Sequence, residues 1–280
     1  METVDRGSSG RCRVWAFDLS KWYCDCVSAE GTAFIGYWAR VRWGPLVLPY
    51  AATLVKVQGQ DTQERHTLVP CPEPVVRTRE LHWVAKRIRA QGVWHVQVPG
   101  HSHRLVESPE GSIDWNCHAP QAECRIELAD GTRIAGLGYA EHMRLTIRPW
   151  QLPFEELCWG RFLAADDALV WIEWRGRHPR RWVFYNGHEE PGSSTIDPSR
   201  IVLPDDRGTL ELTDPIVLRK GRLLTGPLRA IPAASLLLRG GLRHADEAKW
   251  LSRGTFTTPT HTSSGWAVHE VVRLTRGESC

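Results

Sequence analysis

The sequence predicts an all-β protein of two tandem antiparallel domains, each a barrel or sandwich, and three observations carry that prediction. Apolar and polar residues alternate with a period of two through nearly every strong segment. Asp-Gly and Asn-Gly dipeptides, which suit two-residue hairpin turns, separate such segments. Stretches of the first half also return, in the same order, in the second.

The segments follow in chain order. AFIGYWARVRW (33–43) puts Ile35, Tyr37, Ala39, Val41 and Trp43 on one face and Arg40 and Arg42 on the other, as a half-buried strand does. In TRELHWVAKRIRAQG (78–92), Leu81, Val84, Ala85 and Ile88 fit helical spacing, but IRAQGVWHVQV reads as strand, turn and strand, which we favour. His101-Ser102-His103 follows Pro99-Gly100 and reads as an exposed loop. SIDWNCHAP (112–120) reads as a strand that ends in a turn at Ala119-Pro120. CRIELADGTRIAGLGYAEHMRLTI (124–147) is a hairpin about Asp130-Gly131, and WVFYNGHEE is a second about Asn186-Gly187. Between them, the prolines of RPWQLPFEELCWG (148–160) suit a crossing segment better than a central strand. LVWIEWRG is apolar on both faces, so its strand is central or lies at a domain contact. ADEAKWLSR (245–253) reads as a short helix.

Three echoes divide the chain. GYAEHMRL from Gly138 matches GWAVHEVVRL from Gly265, SAEGTAFIGYWARVRWG (28–44) matches AADDALVWIEWRG (164–176), and RIRAQGVW from Arg87 matches IVLRKGRL from Ile216. A duplicated all-β unit explains all three, with domains at 1–148 and 149–280.

Composition narrows the function. The 280 residues are 42% hydrophobic and 24% charged, and no apolar run approaches the ~20 residues that span a bilayer. METVDRGSSGRCR lacks the apolar core of a secretory signal, so the expected location is the cytoplasm. A net charge of +3, with Lys and Arg scattered among acids, gives no nucleic-acid footprint, while contact with a membrane surface stays open. Eight cysteines without C-x-x-C spacing read as reduced thiols. No phosphate-cradling loop, dinucleotide fingerprint, G-x-S-x-G or H-E-x-x-H occurs, so neither cofactor nor metal is expected. The 14 tryptophans, against two methionines and five tyrosines, imply large apolar interiors.

Within the last strand of the first half, Tyr139, Glu141, Met143, Leu145 and Ile147 share a face, so Glu141 is an acid among apolar side chains. Glu270 is in the same phase with Trp266, Val268, Val272 and Leu274. A carboxyl desolvated in this way keeps its proton to higher pH and can protonate an alkene or enol. Trp115, Tyr139, Trp159 and Trp171 are candidate walls for the cation so formed. The structural alternative is that Glu141 pairs with Arg144, Arg161 or another arginine and pins its strand. Asp114 and His118 are further candidate catalytic groups that could orient water, against a plain strand end. Arg161 and Glu173 join the candidate substrate contacts, against surface solvation for Arg161 and simple burial for Glu173. Cys117 and His118, as strand neighbours, face opposite ways and do not form a nucleophile and base.

WYCDCVSAEG from Trp22, GYAE at Gly138, PWQLPFEELCWGRF from Pro149 and VWIEWRG from Val170 together resemble the lipocalin-like proteins related to carotenoid 1,2-hydratase and the AttH-type proteins. The resemblance implies tandem lipocalin-like domains that handle a bulky hydrophobic small molecule. It also implies cofactor-independent hydration or cyclisation of a double bond in an isoprenoid or polyketide-like substrate. A noncatalytic protein that binds a lipophilic ligand in the same cavity is the alternative.

Overall fold

The computed structural model describes residues 16–222 and 245–274. The N-terminal METVDRGSSGRCR, on which the reading of a missing leader rests, lies outside them. In the first half the strands are β1 (Phe17–Val27), β2 (Ala33–Trp43), β3 (Leu46–Lys56), β4 (Gln63–Thr67), β5 (Val75–Arg77), β6 (Glu80–Ala85), β7 (Ala90–Val98), β8 (His101–Ser108), β9 (Gly111–Leu128) and β10 (Arg133–Leu145). The second half has β11 (Glu156–Leu163), β12 (Ala168–Arg175), β13 (Arg180–Tyr185), β14 (His188–Glu189), β15 (Thr195–Asp197), β16 (Arg200–Val202), β17 (Thr209–Arg222), β18 (Asp246–Thr257) and β19 (Thr262–Arg273). The sheets part between Leu145 and Glu156, where Pro149–Gln151 forms a 3-10 turn. No helix among the described residues is long and apolar enough to cross a membrane.

The two antiparallel sheets repeat one topology. The first runs β4-β3-β2-β1-β10-β9-β7-β6-β5, and the second runs β14-β13-β12-β11-β19-β18-β17-β16-β15. Each curls into a half-barrel, as tandem lipocalin-like domains do. β8 lies off this path and pairs with β9; in the second sheet the later part of β17 fills that place, with Arg219 opposite Lys249 as His101 is opposite Cys117. The echo that joins SAEG with AADD falls on equivalent turns, β1–β2 and β11–β12. The closing-strand echo slips by two residues. Glu141 lies opposite Tyr23, and Glu270 opposite Trp159, which aligns Gly136 with Gly265. At both glycines a Cβ would run into the facing backbone, Val27 O at 2.1 Å and Leu163 O at 2.0 Å, so strand contact at these two positions requires glycine.

Three expectations change. ADEAKWLSR is strand β18, because its alternation buries Glu247, Lys249 and Leu251 on the face toward the other domain. Pro120 makes no turn: β9 runs through it at the irregular stretch where Gly138 pairs with Ala122 and Ala140 with Ala119. His101 to His103 open strand β8, and His101 is packed between Phe184 and Trp115 instead of lying in an exposed loop. The preference for strand over helix in 78–92 holds, with Leu81, Trp83 and Ala85 buried and Val84 exposed, but the turn falls at Lys86–Ile88 and IRAQGVWHVQV continues as the single strand Ala90–Val98. Asn186 and Gly187 have φ of 46° and 81°, the left-handed pair that the β13–β14 hairpin turn needs.

One apolar cluster joins the domains. Tyr23, Tyr37, Trp115 and Tyr139 from the first half meet Trp159, Ile172, Trp182 and Phe184 from the second. β12 is buried on both faces, with Val170, Ile172 and Trp174 turned to this seam and Leu169 and Trp171 to the second half's own core. At the seam's centre Asp25 and Arg161, equivalent positions on β1 and β11, form a buried ion pair. Arg161 donates from Nε and Nη2 to the two carboxylate oxygens at 3.0 and 2.8 Å, and from Nη1 to Trp266 O at 2.7 Å. Asp25 also accepts from Tyr23 Oη and from the Tyr139 amide. Both side chains have 0% exposure, so removing one charge leaves the other without water. Asp25→Asn should therefore lower unfolding free energy by about 3–5 kcal/mol in urea titrations, and adding Arg161→Met should recover a substantial part of it.

Candidate functional site

Cross-strand pairing sets two rows of side chains against each other across the seam. In the first sheet, His101, Cys117, Glu141, Tyr23 and Tyr37 are successive partners on β8, β9, β10, β1 and β2. In the second, Lys249, Glu270, Trp159, Ile172 and Trp182 follow one another on β18, β19, β11, β12 and β13. Directly paired residues share a sheet face, so each row presents its side chains to the other domain. The Tyr23 and Trp159 rings meet edge to face at 5.0 Å, and Tyr139 lies 5.7 Å from Trp159.

Glu141 and Glu270 are equivalent in the duplication but sit in opposite environments. Glu141 is 7% exposed. Its Oε2 accepts from both Trp115 Nε1 and Tyr139 Oη, each at 2.6 Å. Burial pushes its pKa up, and the two hydrogen bonds and Lys21 offset only part of that. With both donors on Oε2, Oε1 is the oxygen left to carry the proton. Burial would raise Glu270 as well, but Lys249 and Lys21 outweigh it and hold this carboxyl below its usual range. Lys249, 1% exposed, donates to Glu270 and lies over the Tyr23, Trp159 and Tyr37 rings at 5.2, 5.5 and 5.9 Å. Desolvation disfavours its charge, yet Glu270, Tyr37 and Glu247 more than compensate, and its pKa rises. One carboxyl is thus biased toward the acid and its twin toward the anion.

Two donors around Lys249 have no partner among the described residues. Trp159 Nε1 and Tyr37 Oη are buried without a hydrogen bond, and burial pushes the Tyr37 phenol up to about 12. Both ring nitrogens of His101, in the first sheet's row, are likewise unpartnered among the described residues, and orphaned polar groups in a buried seam mark where polar atoms of a ligand would bind. Away from them, the same faces continue into half-buried Leu19, Val41, Trp43, Met143 and Leu157, an apolar approach to the two acids.

The other sequence candidates are dispersed. Trp115, Tyr139 and Trp159 gather around Glu141, while Arg161 is engaged by Asp25. Asp114 lies on the opposite face of β9, ion-paired with Arg104 at 2.7 Å. His118 stacks on Trp22 at 4.8 Å, also on the opposite face from Trp115 and Cys117, and burial lowers its pKa. Trp171 packs in the second half's own core, and Glu173 is held by Arg175 and Arg181. Neither Arg144 nor Arg161 pairs with Glu141: Arg144 bonds Asp18. Among the described residues no group of three or more His, Cys, Asp and Glu is placed to hold a metal ion. Lys249 is not among the sequence candidates because ADEAKWLSR reads as helix over so short a window. The period-two burial of Glu247, Lys249 and Leu251 was the available signal.

No protein-family model matches the chain, and no curated protein matches it in sequence. Solved structures do match in fold. CghA, crystallised with Sch210972, superposes with a TM-score of 0.53 at 11% identity, over 93% of this chain and 89% of its own. Kievitone hydratase from Nectria haematococca gives 0.53 at 8% identity over 94% and 90%. An AttH-type protein from Nitrosomonas europaea gives 0.53 at 12% identity over 99% and 100%. The resemblance read from the sequence is therefore met in the fold, across nearly the whole length of both partners.

The raised pKa of Glu141 has a measurable sign. A carboxyl that binds its proton more tightly folded than unfolded contributes stability below its unfolded pKa, and that contribution is lost as pH rises through the folded pKa. Glu141→Gln should accordingly gain thermal stability relative to the parent as pH is raised from 4 to 8 (roughly the carboxyl range and above), read as a widening Tm difference by calorimetry.

Proposed function

We propose that this protein is an enzyme acting on a hydrophobic small molecule bound in the interdomain seam, and that Glu141 is its general acid. The observation that carries the proposal is the divergence of two equivalent carboxyls, Glu141 toward the acid and Glu270 toward the anion, beside unpartnered donors on Trp159 and Tyr37. The fold neighbours support it: one is named a hydratase and another was crystallised with a small molecule. We read the reaction as hydration or cyclisation of a double bond in an isoprenoid or polyketide-like substrate, without a cofactor.

The Glu141 proton on Oε1 passes to one alkene carbon, and the π electrons form the new C–H bond. The cation left on the other carbon is stabilised by the Glu141 carboxylate that forms beside it. Trp115 and Tyr139 already donate to Oε2 and stabilise the carboxylate as it forms. In hydration, water attacks the cation and its surplus proton returns to Glu141, so the net change is addition of one water. In cyclisation, a second double bond attacks and a proton is lost from the ring to the same carboxylate. Trp159 Nε1, Tyr37 Oη and Lys249 would hold an oxygen of the substrate, while the Leu19, Val41 and Met143 side covers its apolar part. Asp114, His118, Trp171 and Glu173 have no part in these steps, and Arg161 acts by joining the domains.

The test is turnover of a panel of prenyl-bearing and polyene compounds in ¹⁸O-labelled water, followed by mass spectrometry. The parent should convert at least one compound, either with incorporation of the label or to an isomer of unchanged mass. Glu141→Gln should lose at least about a hundredfold in kcat while still binding it. Full activity in that variant removes Glu141 from the chemistry. Binding by the parent with no conversion of any bound compound would favour a carrier.

A further inference from the structure

Along β1 and β11 the seam follows one order: Tyr23 against Trp159, then Asp25 against Arg161, then Val27 and Leu163. The last two open on a separate groove of about 510 Å³, on the far side of the ion pair from Glu141. Its walls come from both domains: the β1–β2 turn at Ser28 and Ala29, the β11–β12 turn at Ala164 and Ala165, and Leu137 with Trp266 from the closing strands. A volume of this size fits a drug-sized molecule.

Two cationic side chains of this groove have no acidic partner among the described residues. The Arg253 guanidinium lies over the Trp266 ring at 3.9 Å and, among the described residues, makes no hydrogen bond or ion pair. Arg125, on the neighbouring wall, likewise has no acidic partner among the described residues. Beneath them Arg161 uses three of its five N–H groups on Asp25 and Trp266 O, leaving one on each terminal nitrogen. Trp266 is fixed by its Nε1 donating to Ala29 O at 3.2 Å and by Gly31, where a Cβ would collide with the indole at 2.5 Å. His95 is already engaged by Glu80. Glu123 is the acidic residue of the lining.

We propose that this groove is a second ligand site, for an organic anion with an apolar body. The anionic group meets the exposed edge of Arg253, with Arg125 near it. The body lies along Trp266, Leu137, Leu163 and Val27. A guanidinium stacked on an aromatic ring is held in place without consuming its donors, so it can bind a carboxylate or sulfonate with little ordering cost. The site is independent of chemistry at Glu141.

The probes are 8-anilino-1-naphthalenesulfonate and N-phenyl-1-naphthylamine, the same aromatic body with and without the anion, titrated by fluorescence into the full chain. The sulfonate should bind saturably at one site. Arg253→Met should weaken it at least about tenfold while changing the neutral probe by less than about twofold, as expected for loss of a charge-assisted contact. Ala135→Trp, which fills the groove from its exposed wall, should weaken both. Circular dichroism and Tm confirm that each variant is folded. No saturable sulfonate binding, equal affinity in Arg253→Met, or binding untouched by Ala135→Trp would each overturn the proposal. Glu141→Gln should leave the sulfonate titration unchanged, which separates this site from the seam.

Discussion

The buried pair of Asp25 and Arg161 is the constraint on which the rest of the structure depends. Two charges without water are costly, and the cost is offset by paired hydrogen bonds: both carboxylate oxygens accept from the guanidinium, and Tyr23 and the Tyr139 amide add two further donors to Asp25. Those partners belong to three strands and two domains. Geometry satisfying Asp25 therefore fixes β1, β10 and β11 relative to one another, and with them the two rows that face each other next door. Tyr139 ties the pair directly to the acid, since its amide binds Asp25 and its hydroxyl binds Glu141.

Duplication followed by divergence explains how a symmetric scaffold makes an asymmetric site. The first half surrounds its carboxyl with Trp115 and Tyr139, neutral donors that tolerate a proton on the acid. The second half places Glu247 and Lys249 at the positions equivalent to Trp115 and Cys117, and Lys249 makes its carboxyl an anion. Asp25 and Arg161 are themselves one position changed to opposite charge. Had both halves kept the same residue there, two like charges would meet in a dry interface, which Coulomb repulsion forbids. Complementary substitution at the axis lets the half-barrels join, and complementary substitution one step along biases one carboxyl of the seam toward the acid and its twin toward the anion.

Much of this was legible in the chain. Period-two alternation exposed the strands, turn dipeptides located two hairpins, and the in-phase acids at 141 and 270 marked both closing strands. What sequence could not convey was pairing at long range. Nothing local says that Arg161 meets Asp25, because that contact exists only after two domains pack. Lys249 was hidden by a window too short to separate helical from strand period, and His101 by a Pro-Gly that ends one strand and starts the next. Trp171 differs from Trp159 only in which face of its strand looks across the seam, and a strand apolar on both faces carries no sign of which is which. The two-residue slip of the closing echo came from matching Gly138 with Gly265, whereas the steric demand for glycine equates Gly136 with Gly265.

The central claim is that two equivalent carboxyls are driven apart by their surroundings. It is tested most directly by ¹³C NMR titration of glutamate side chains in the folded protein, with the Glu141 and Glu270 signals assigned through Glu141→Gln and Glu270→Gln. The account predicts that Glu141 titrates above the ordinary glutamate range and Glu270 below it. Titration of both at the same ordinary pH, or their order reversed, would contradict it.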